Sequence, residues 1–345
     1  MSGEASLPER TLRVSVIGNG GFGTALAVHA HHLGHQVRLW GNDYAYTRRM
    51  AETRANPRYL PGVPLPPEIG IGSDPAEILE GAEAILSVVP TQHVRTAFEK
   101  LAAEVAPDVP VISCSKGMEQ STGLLPSQIL ADLLPGDLIY VLSGPCHAEE
   151  LVRGKPASLV LAGPEGAELV QLQKAFSGPT FRLYRGTDPL GVELAGALKN
   201  IVAIAAGIGD GLELGDNAKS ALLTRGLYEI GVFGVAMGAQ QETFFGLAGM
   251  GDLITTAISP HGRNRAIGER LGRGETLDEI LATTNKVAEG VWTTRAVLER
   301  AQELGIEMPI AEEVGRVLFE EEPVQLAVTR LMSRLLREEG GWGEE

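Results

Sequence analysis

From Thr11 to Tyr184 the apolar positions fall into short β-rich runs, TLRVSVI, QVRLW, AILSVV, VPVISC, LIYVLS, SLVLA and TFRLY, with helix-length stretches between most of them. Apolar strands alternating with helices are the rhythm of a parallel sheet covered by helices. One stretch breaks it: Asn56 to Gly72 carries Asn-Pro, Leu-Pro-Gly and Leu-Pro-Pro clusters and reads as an irregular loop. After Asp188-Pro189 the strand signal stops, and residues 191–337 show helical periodicity punctuated by glycine. The pattern predicts an α/β protein, with a doubly wound sheet over residues 1–190 and an all-helical domain over 191–345. The second domain opens with the most apolar long segment, Val192 to Gly209. Glu193, Lys199 and Asn200 interrupt it, so it reads as a buried helix rather than a membrane span. Its small residues, among them Ala195, Gly196, Ala203 and Gly207, permit close backbone approach.

At 345 residues and 44% hydrophobic content the chain is large for one core and sufficient for two. A net charge of -15 argues against a protein that grips nucleic acid or an anionic membrane by bulk electrostatics, so any phosphate must be bound locally. Lysine is scarce, occurring at 100, 116, 155, 174, 199, 219 and 286, which makes a lysine inside an apolar stretch notable. Cys114 and Cys146 form no CxxC pattern and complete no metal site with histidine, consistent with a reduced, cytoplasmic, metal-free protein. Met1 to Arg10 lacks the apolar core of a signal peptide, and the tail after Arg337 is expected to fray.

Gly18-Asn19-Gly20-Gly21-Phe22-Gly23 matches GxGxxG, follows the first strand and opens the run Thr24 to Leu33, which is compatible with a helix. In that setting Gly18 allows the tight turn, Gly20 lets the backbone approach a pyrophosphate and Gly23 lets the helix lie close on the strand, which makes the first domain Rossmann-type. An NAD site usually places a carboxylate at the end of the second strand. Here that end reads Trp40-Gly41-Asn42-Asp43, with Asp43 beyond the apparent strand end and Arg48 and Arg49 available to meet a 2′-phosphate or to form a solvated helix face.

Within the apolar helix, Lys199 projects from a face of Val192, Ala195, Gly196, Ala203 and Ala206. Desolvation lowers the pKa of such a lysine and suits it to proton transfer, while the competing reading is a structural lysine satisfied by a carboxylate such as Glu193. The adjacent Asn200 can bond a substrate oxygen or fix the helix. Farther on, Gly262-Arg263-Asn264-Arg265 follows Ser259-Pro260 and precedes a helix over Ala266 to Leu271, a turn suited to a small anion or to solvent.

Taken together, IGNGGFGTALA, LWGND, SVVPTQ, SCSKGME, LSGPCHAEE, GVELAGALKNIVAIAAGIGDGL, GLAGMGDL, GRNRAIG, KVAEG and MPI resemble the bacterial NAD(P)-dependent glycerol-3-phosphate dehydrogenases over nearly the whole chain. The resemblance implies reduction of dihydroxyacetone phosphate, a small phosphorylated triose, to sn-glycerol 3-phosphate with NADH or NADPH. It implies Lys199 as proton donor, with Lys116, Gly144, Asn200, Asp252, Gly262, Arg263 and Asn264 in the substrate site. On the cofactor side it implicates Gly21, Phe22, Asn42, Lys116, Ala148, Arg263, Val287 and Glu289 beside Gly18, Gly20 and Gly23. Asp252 is left with three readings: a bond to a substrate hydroxyl, a support for Lys199, or a helix cap. The family also suggests a homodimer and a supply of glycerol 3-phosphate to phospholipid synthesis. Two positions depart from its pattern: Cys146 stands in a GP[ST] element, and Gly262 stands where serine is common. The competing enzymes are hydroxyacid and 3-hydroxyacyl-CoA dehydrogenases, against which the GRNR turn speaks. A catalytically silent NAD(P)-binding regulator is disfavoured by the presence of Lys199, Asn200 and Asp252.

Overall fold

All seven apolar runs become strands of one eight-stranded sheet. In chain order the strands are β1 (Arg13–Ile17), β2 (Gln36–Trp40), β3 (Ala55–Asn56), β4 (Leu60–Pro64), β5 (Gly70–Gly72), β6 (Ala84–Ser87), β7 (Val111–Ser113), β8 (Ile139–Ser143), β9 (Ala157–Ala162) and β10 (Phe181–Gly186). The computed structural model describes residues 10–284 and 288–335. The tail beyond Arg337, the first nine residues and Val287, which figured in the sequence reading, lie outside the described residues. Contacts divide the chain into two units, one of residues up to Ser115 with Pro126–Pro189, the other of Lys116–Leu125 with the chain from Leu190 onward. The ten residues from Lys116 thus join the helical unit although they precede it in sequence.

In the first unit the sheet order is β10-β9-β8-β7-β6-β1-β2-β5. The strands from β8 to β5 run parallel, whereas β9 pairs antiparallel with β8 and carries β10 with it. The sheet is therefore mixed at one end, a departure from the parallel pattern expected. The cause is the β8–β9 connection, whose only helix is the four-residue Ala148–Leu151, too short to return the chain along the sheet as a parallel crossover requires. The Asn56 to Gly72 stretch is also more ordered than its prolines suggested. It forms the β3–β4 ribbon and contributes β5 as an edge strand beside β2. Prolines are tolerated in an edge ribbon, and a Gly-Ile-Gly strand has no hydrophobic period to detect.

Strand order reverses direction at β1, between β6 on one side and β2 on the other, and open α/β sheets bind ligands at such a point, outside the carboxyl ends of the strands. The buried imidazole of His35 ties this core together. Its Nδ1 accepts the Leu12 amide at 3.1 Å and its Nε2 lies 2.8 Å from the Ala175 carbonyl, a pairing that needs the neutral ring. Burial holds the His35 pKa below its ordinary 6.5, against the opposing Ala175 bond, and burial likewise lowers His29.

In the second unit the helix Pro189–Gly211 passes the length and hydropathy test for a membrane span, but 94% of its apolar window is buried inside the protein. Its C-terminal half meets the helix Arg263–Gly272 through glycine on both sides. A methyl on Gly207 or Gly211 would fall on the carbonyls of Arg265 or Glu269, and one on Gly268 or Gly272 on those of Ile204 or Ile208. The backbones are in direct contact at a four-residue spacing on each helix, which places Arg263 and Asn264 at a fixed distance from Lys199 and Asn200. A third helix, Glu289–Leu304, joins them at Gly290, whose amide donates to Asn264 Oδ1 at 3.1 Å and where a Cβ would lie 2.9 Å from the Asn200 carbonyl.

Two outcomes are expected. Because His35 and His29 are depressed in the folded state, their contribution is complete above pH ~6.5 and is lost as pH falls through the folded-state values. Urea midpoints at pH 7.5 and pH 5 should therefore differ, and by less in His35→Gln. Gly268→Ala should destabilise by about 3 kcal/mol or more, seen in the same titration, because the added methyl meets backbone that cannot turn aside.

Candidate active site

In the first unit the glycine loop joins β1 to the helix Gly21–His32. Gly18 has φ +117, and a Cβ there would lie 2.6 Å from the Val88 carbonyl, so the loops after β1 and β6 touch through backbone. A Cβ on Gly23 would fall on the Gly18 carbonyl, closing the helix onto the turn. Gly20 is different: a Cβ there meets nothing within 4 Å. It is the N-cap of a 12-residue helix with no side-chain cap and no acidic residue in the first turn. Open space at the cap together with first-turn amides and the positive helix end suits a pyrophosphate, so the residues present fit a dinucleotide. Gly21 and the half-buried Phe22 form the first turn, and a Cβ on Gly21 would sit 3.8 Å from that of Ala148. Gly144 takes φ +142 at the end of β8, where a side chain would meet Leu159 Cα at 2.9 Å. Asn42 is exposed just past β2, and Asp43 caps the next helix, its Oδ1 accepting the Tyr46 amide at 3.0 Å. Asp43 is thereby engaged in capping.

A residue that sequence reasoning missed braces this loop. Asn56 is 1% exposed, and its Nδ2 donates to the Asn19 carbonyl at 2.9 Å and to Thr24 Oγ1 at 2.8 Å. Its Oδ1 accepts the Tyr46 hydroxyl at 2.6 Å and the Tyr59 amide at 3.2 Å. The only sequence signal was an Asn-Pro pair, which reads as a turn.

In the second unit Asp252 is the hub of a polar cluster. A π-helical turn, Leu247–Gly251, delivers it to the start of the helix Asp252–Ile258, an irregularity often found at functional positions. Its Oδ1 accepts Lys199 Nζ at 2.6 Å and its Oδ2 accepts Lys116 Nζ at 2.6 Å. Lys199 also bonds Thr256 Oγ1 at 2.5 Å, and that hydroxyl lies 3.3 Å from Asp252 Oδ1. Asn200 donates to the Lys116 carbonyl at 3.4 Å. Lys199 therefore pairs with Asp252 and not with Glu193, and Asp252 is no helix cap. Thr256, four residues beyond Asp252 and so on the same helix face, was not singled out from sequence.

Lys199 is 5% exposed and Asp252 2%. Burial lowers the Lys199 pKa, Asp252 opposes and Lys116 adds to the fall, leaving it at about 8. Burial pushes the Asp252 carboxyl up, yet Lys116 and Lys199 overcome this and hold it below its ordinary value. Two ammonium groups thus converge on one carboxylate, a setting in which an incoming anion or a developing oxyanion meets cations already in place.

The helix over Ala266 to Leu271 begins earlier than expected, at Arg263, so Arg263 and Asn264 form its first turn and the buried Gly262 its N-cap. A Cβ at 262 would fall on the Thr256 carbonyl, which accounts for glycine here. Arg263 is exposed, Asn264 is buried against Gly290, and Arg265 is held by Asp210 at 2.7 Å. Glu289 starts the neighbouring helix.

A glycine-loop sheet unit paired with a helical unit bearing a buried lysine defines a two-part nicotinamide-dependent dehydrogenase. The family models for the N-terminus and the C-terminus of NAD-dependent glycerol-3-phosphate dehydrogenase match residues 13–168 and 188–329. The chain belongs to that family. It is 46% identical over 330 residues to glycerol-3-phosphate dehydrogenase [NAD(P)+] 2 of Salinibacter ruber, covering 94% of this chain and 96% of the relative. With the Methylobacillus flagellatus enzyme of the same name it shares 44% over 325 residues, covering 94% and 98%. The crystal structure of glycerol-3-phosphate dehydrogenase from Coxiella burnetii superposes with a TM-score of 0.90 at 36% identity, over 94% of this chain and 99% of that one.

The charge balance can be tested. Asp252→Asn should destabilise the fold by about 3 kcal/mol, since it removes the carboxylate that pairs the buried Lys199 and its half-buried neighbour Lys116. Lys116→Met leaves a balanced Lys199–Asp252 pair and should cost less than half as much, both read from urea unfolding.

Proposed function

We propose that this chain reduces dihydroxyacetone phosphate to sn-glycerol 3-phosphate with NADH or NADPH. The observation that carries this reading is the cluster of Lys199, Asp252 and Lys116: a buried, positively charged proton source within the same unit as an arginine and asparagine helix start suited to a small phosphate. When bound, the reduced nicotinamide supplies hydride to the C2 carbonyl. Lys199 donates a proton to the carbonyl oxygen as negative charge develops there, and its pKa of about 8 makes it a stronger acid than an ordinary lysine while leaving it mostly protonated at neutral pH. Asp252 orients Lys199, Thr256 fixes the ammonium, and Lys116 offsets charge on the substrate while its backbone is held by Asn200. Arg263 and Asn264, with the cap at Gly262, bind the phosphate away from the reacting carbon, so that remote binding energy positions the carbonyl. Gly18, Gly20, Gly21, Phe22 and Gly23 hold the pyrophosphate, with Asn42 toward the ribose. Ala148, Gly144, Arg263 and Glu289 complete the ligand contacts that family resemblance implies. The activity is assigned to the cytoplasm, as a homodimer, with glycerol 3-phosphate passing to phospholipid synthesis.

The test is nicotinamide oxidation by the purified protein with dihydroxyacetone phosphate, for wild type and Lys199→Met, after cofactor binding by both is shown. A loss of about 10²–10⁴ in kcat is expected for the variant, and wild type that binds cofactor without turnover overturns the substrate assignment. For the reduction kcat/KM should fall as pH rises through about 8, because the donor must carry its proton. Glycerol 3-phosphate oxidation should rise over the same range.

A further inference from the structure

The end of β2 is where a Rossmann-type site reads the adenosine ribose. Here the strand runs into Gly41 and Asn42, and the carboxylate that follows, Asp43, has its Oδ1 on the Tyr46 amide as the cap of the next helix. A cation has reached the position instead. Lys100, from the segment after the helix Val94–Phe98, donates from Nζ to Asn42 Oδ1 at 2.8 Å. Asn42 follows β2 and Lys100 follows β6, the two neighbours of β1, so the pair joins the segments on either side of the glycine loop's strand. Among the described residues Lys100, like Lys174, makes no ion pair, whereas Lys116, Lys155, Lys199 and Lys219 each lie against an aspartate or glutamate. In a chain with 44 acidic and 29 basic residues, an ammonium resting on a neutral amide beside the ribose position is a charge left uncompensated.

We propose that Lys100 receives the 2′-phosphate of NADP(H) and sets the balance between the two cofactors. Asn42 serves both, since its amide can bond a ribose hydroxyl or a phosphate oxygen. With NAD(H) the Lys100–Asn42 bond persists or yields to water; with NADP(H) the ammonium forms a charge-assisted bond to the phosphate. The nearby arginines are placed differently. Arg48 is engaged with Glu52, its Nε donating at 2.9 Å. Arg49 is exposed and is the competing candidate.

This inference rests on the dinucleotide reading of the first unit, so its test measures nucleotide binding apart from turnover. The whole protein is titrated calorimetrically with adenosine 2′,5′-bisphosphate and with 5′-AMP, for wild type, Lys100→Gln and Arg49→Gln. Wild type should prefer the bisphosphate, and Lys100→Gln should weaken it about ten-fold while leaving 5′-AMP within about two-fold. Arg49→Gln should change neither, and the NADPH to NADH ratio of kcat/KM should fall with Lys100→Gln alone. An unchanged preference in Lys100→Gln, its loss in Arg49→Gln, or equal binding of both nucleotides by wild type overturns the assignment while leaving the dinucleotide site standing. Wild type that binds neither nucleotide overturns both together.

Discussion

A single buried carboxylate organises the helical unit. Asp252 accepts two ammonium groups, one from the long apolar helix and one from the segment at Lys116, and its charge offsets the cost of burying Lys199. Ion pairs in an interior contribute little to stability unless every partner is satisfied. Here one carboxylate holds two ammonium groups, and the proposed reaction brings negative charge toward them. The segment Lys116–Leu125 belongs with the helices for the same reason: its lysine is held there, and the Met118 amide is bonded to Thr293 Oγ1 at 3.4 Å.

Much of the fold could be read from the chain because its strands are short apolar runs and its punctuation is glycine and proline, which act locally. What stayed hidden required partners remote in sequence. β5 has no pattern of its own and exists because β2 offers an edge, and the reversal of β9 depends on a connection whose helix never grows beyond one turn. The Asn56 bridge could not be seen either, since a buried asparagine that bonds four groups looks, in sequence, like any turn asparagine.

The site shows the same division. Lys199 was legible because a lysine on a small apolar face is anomalous, and the glycine loop because its setting between strand and helix is specific. Its counterion was not: Glu193 and Asp252 are both acids near enough to argue for, and only the helix crossing decides between them. Thr256 carried no signal, because a threonine one turn from an aspartate is ordinary until the ammonium is seen between them. The early start of the helix at Arg263 was masked by a Gly-Arg-Asn-Arg string that reads equally well as a loop.

The glycine contact between the helices Pro189–Gly211 and Arg263–Gly272 has a consequence for the range of molecules the unit can serve. Where helices meet through side chains, trimming or adding a methyl lets one slide, and the gap between residues on the two, here Lys199 and Arg263, drifts over evolutionary time. Here peptide group touches peptide group, and no such adjustment is available. The spacing behaves as a ruler with its divisions cut into the backbone. The proposed proton donor and the proposed phosphate turn are set apart by that ruler.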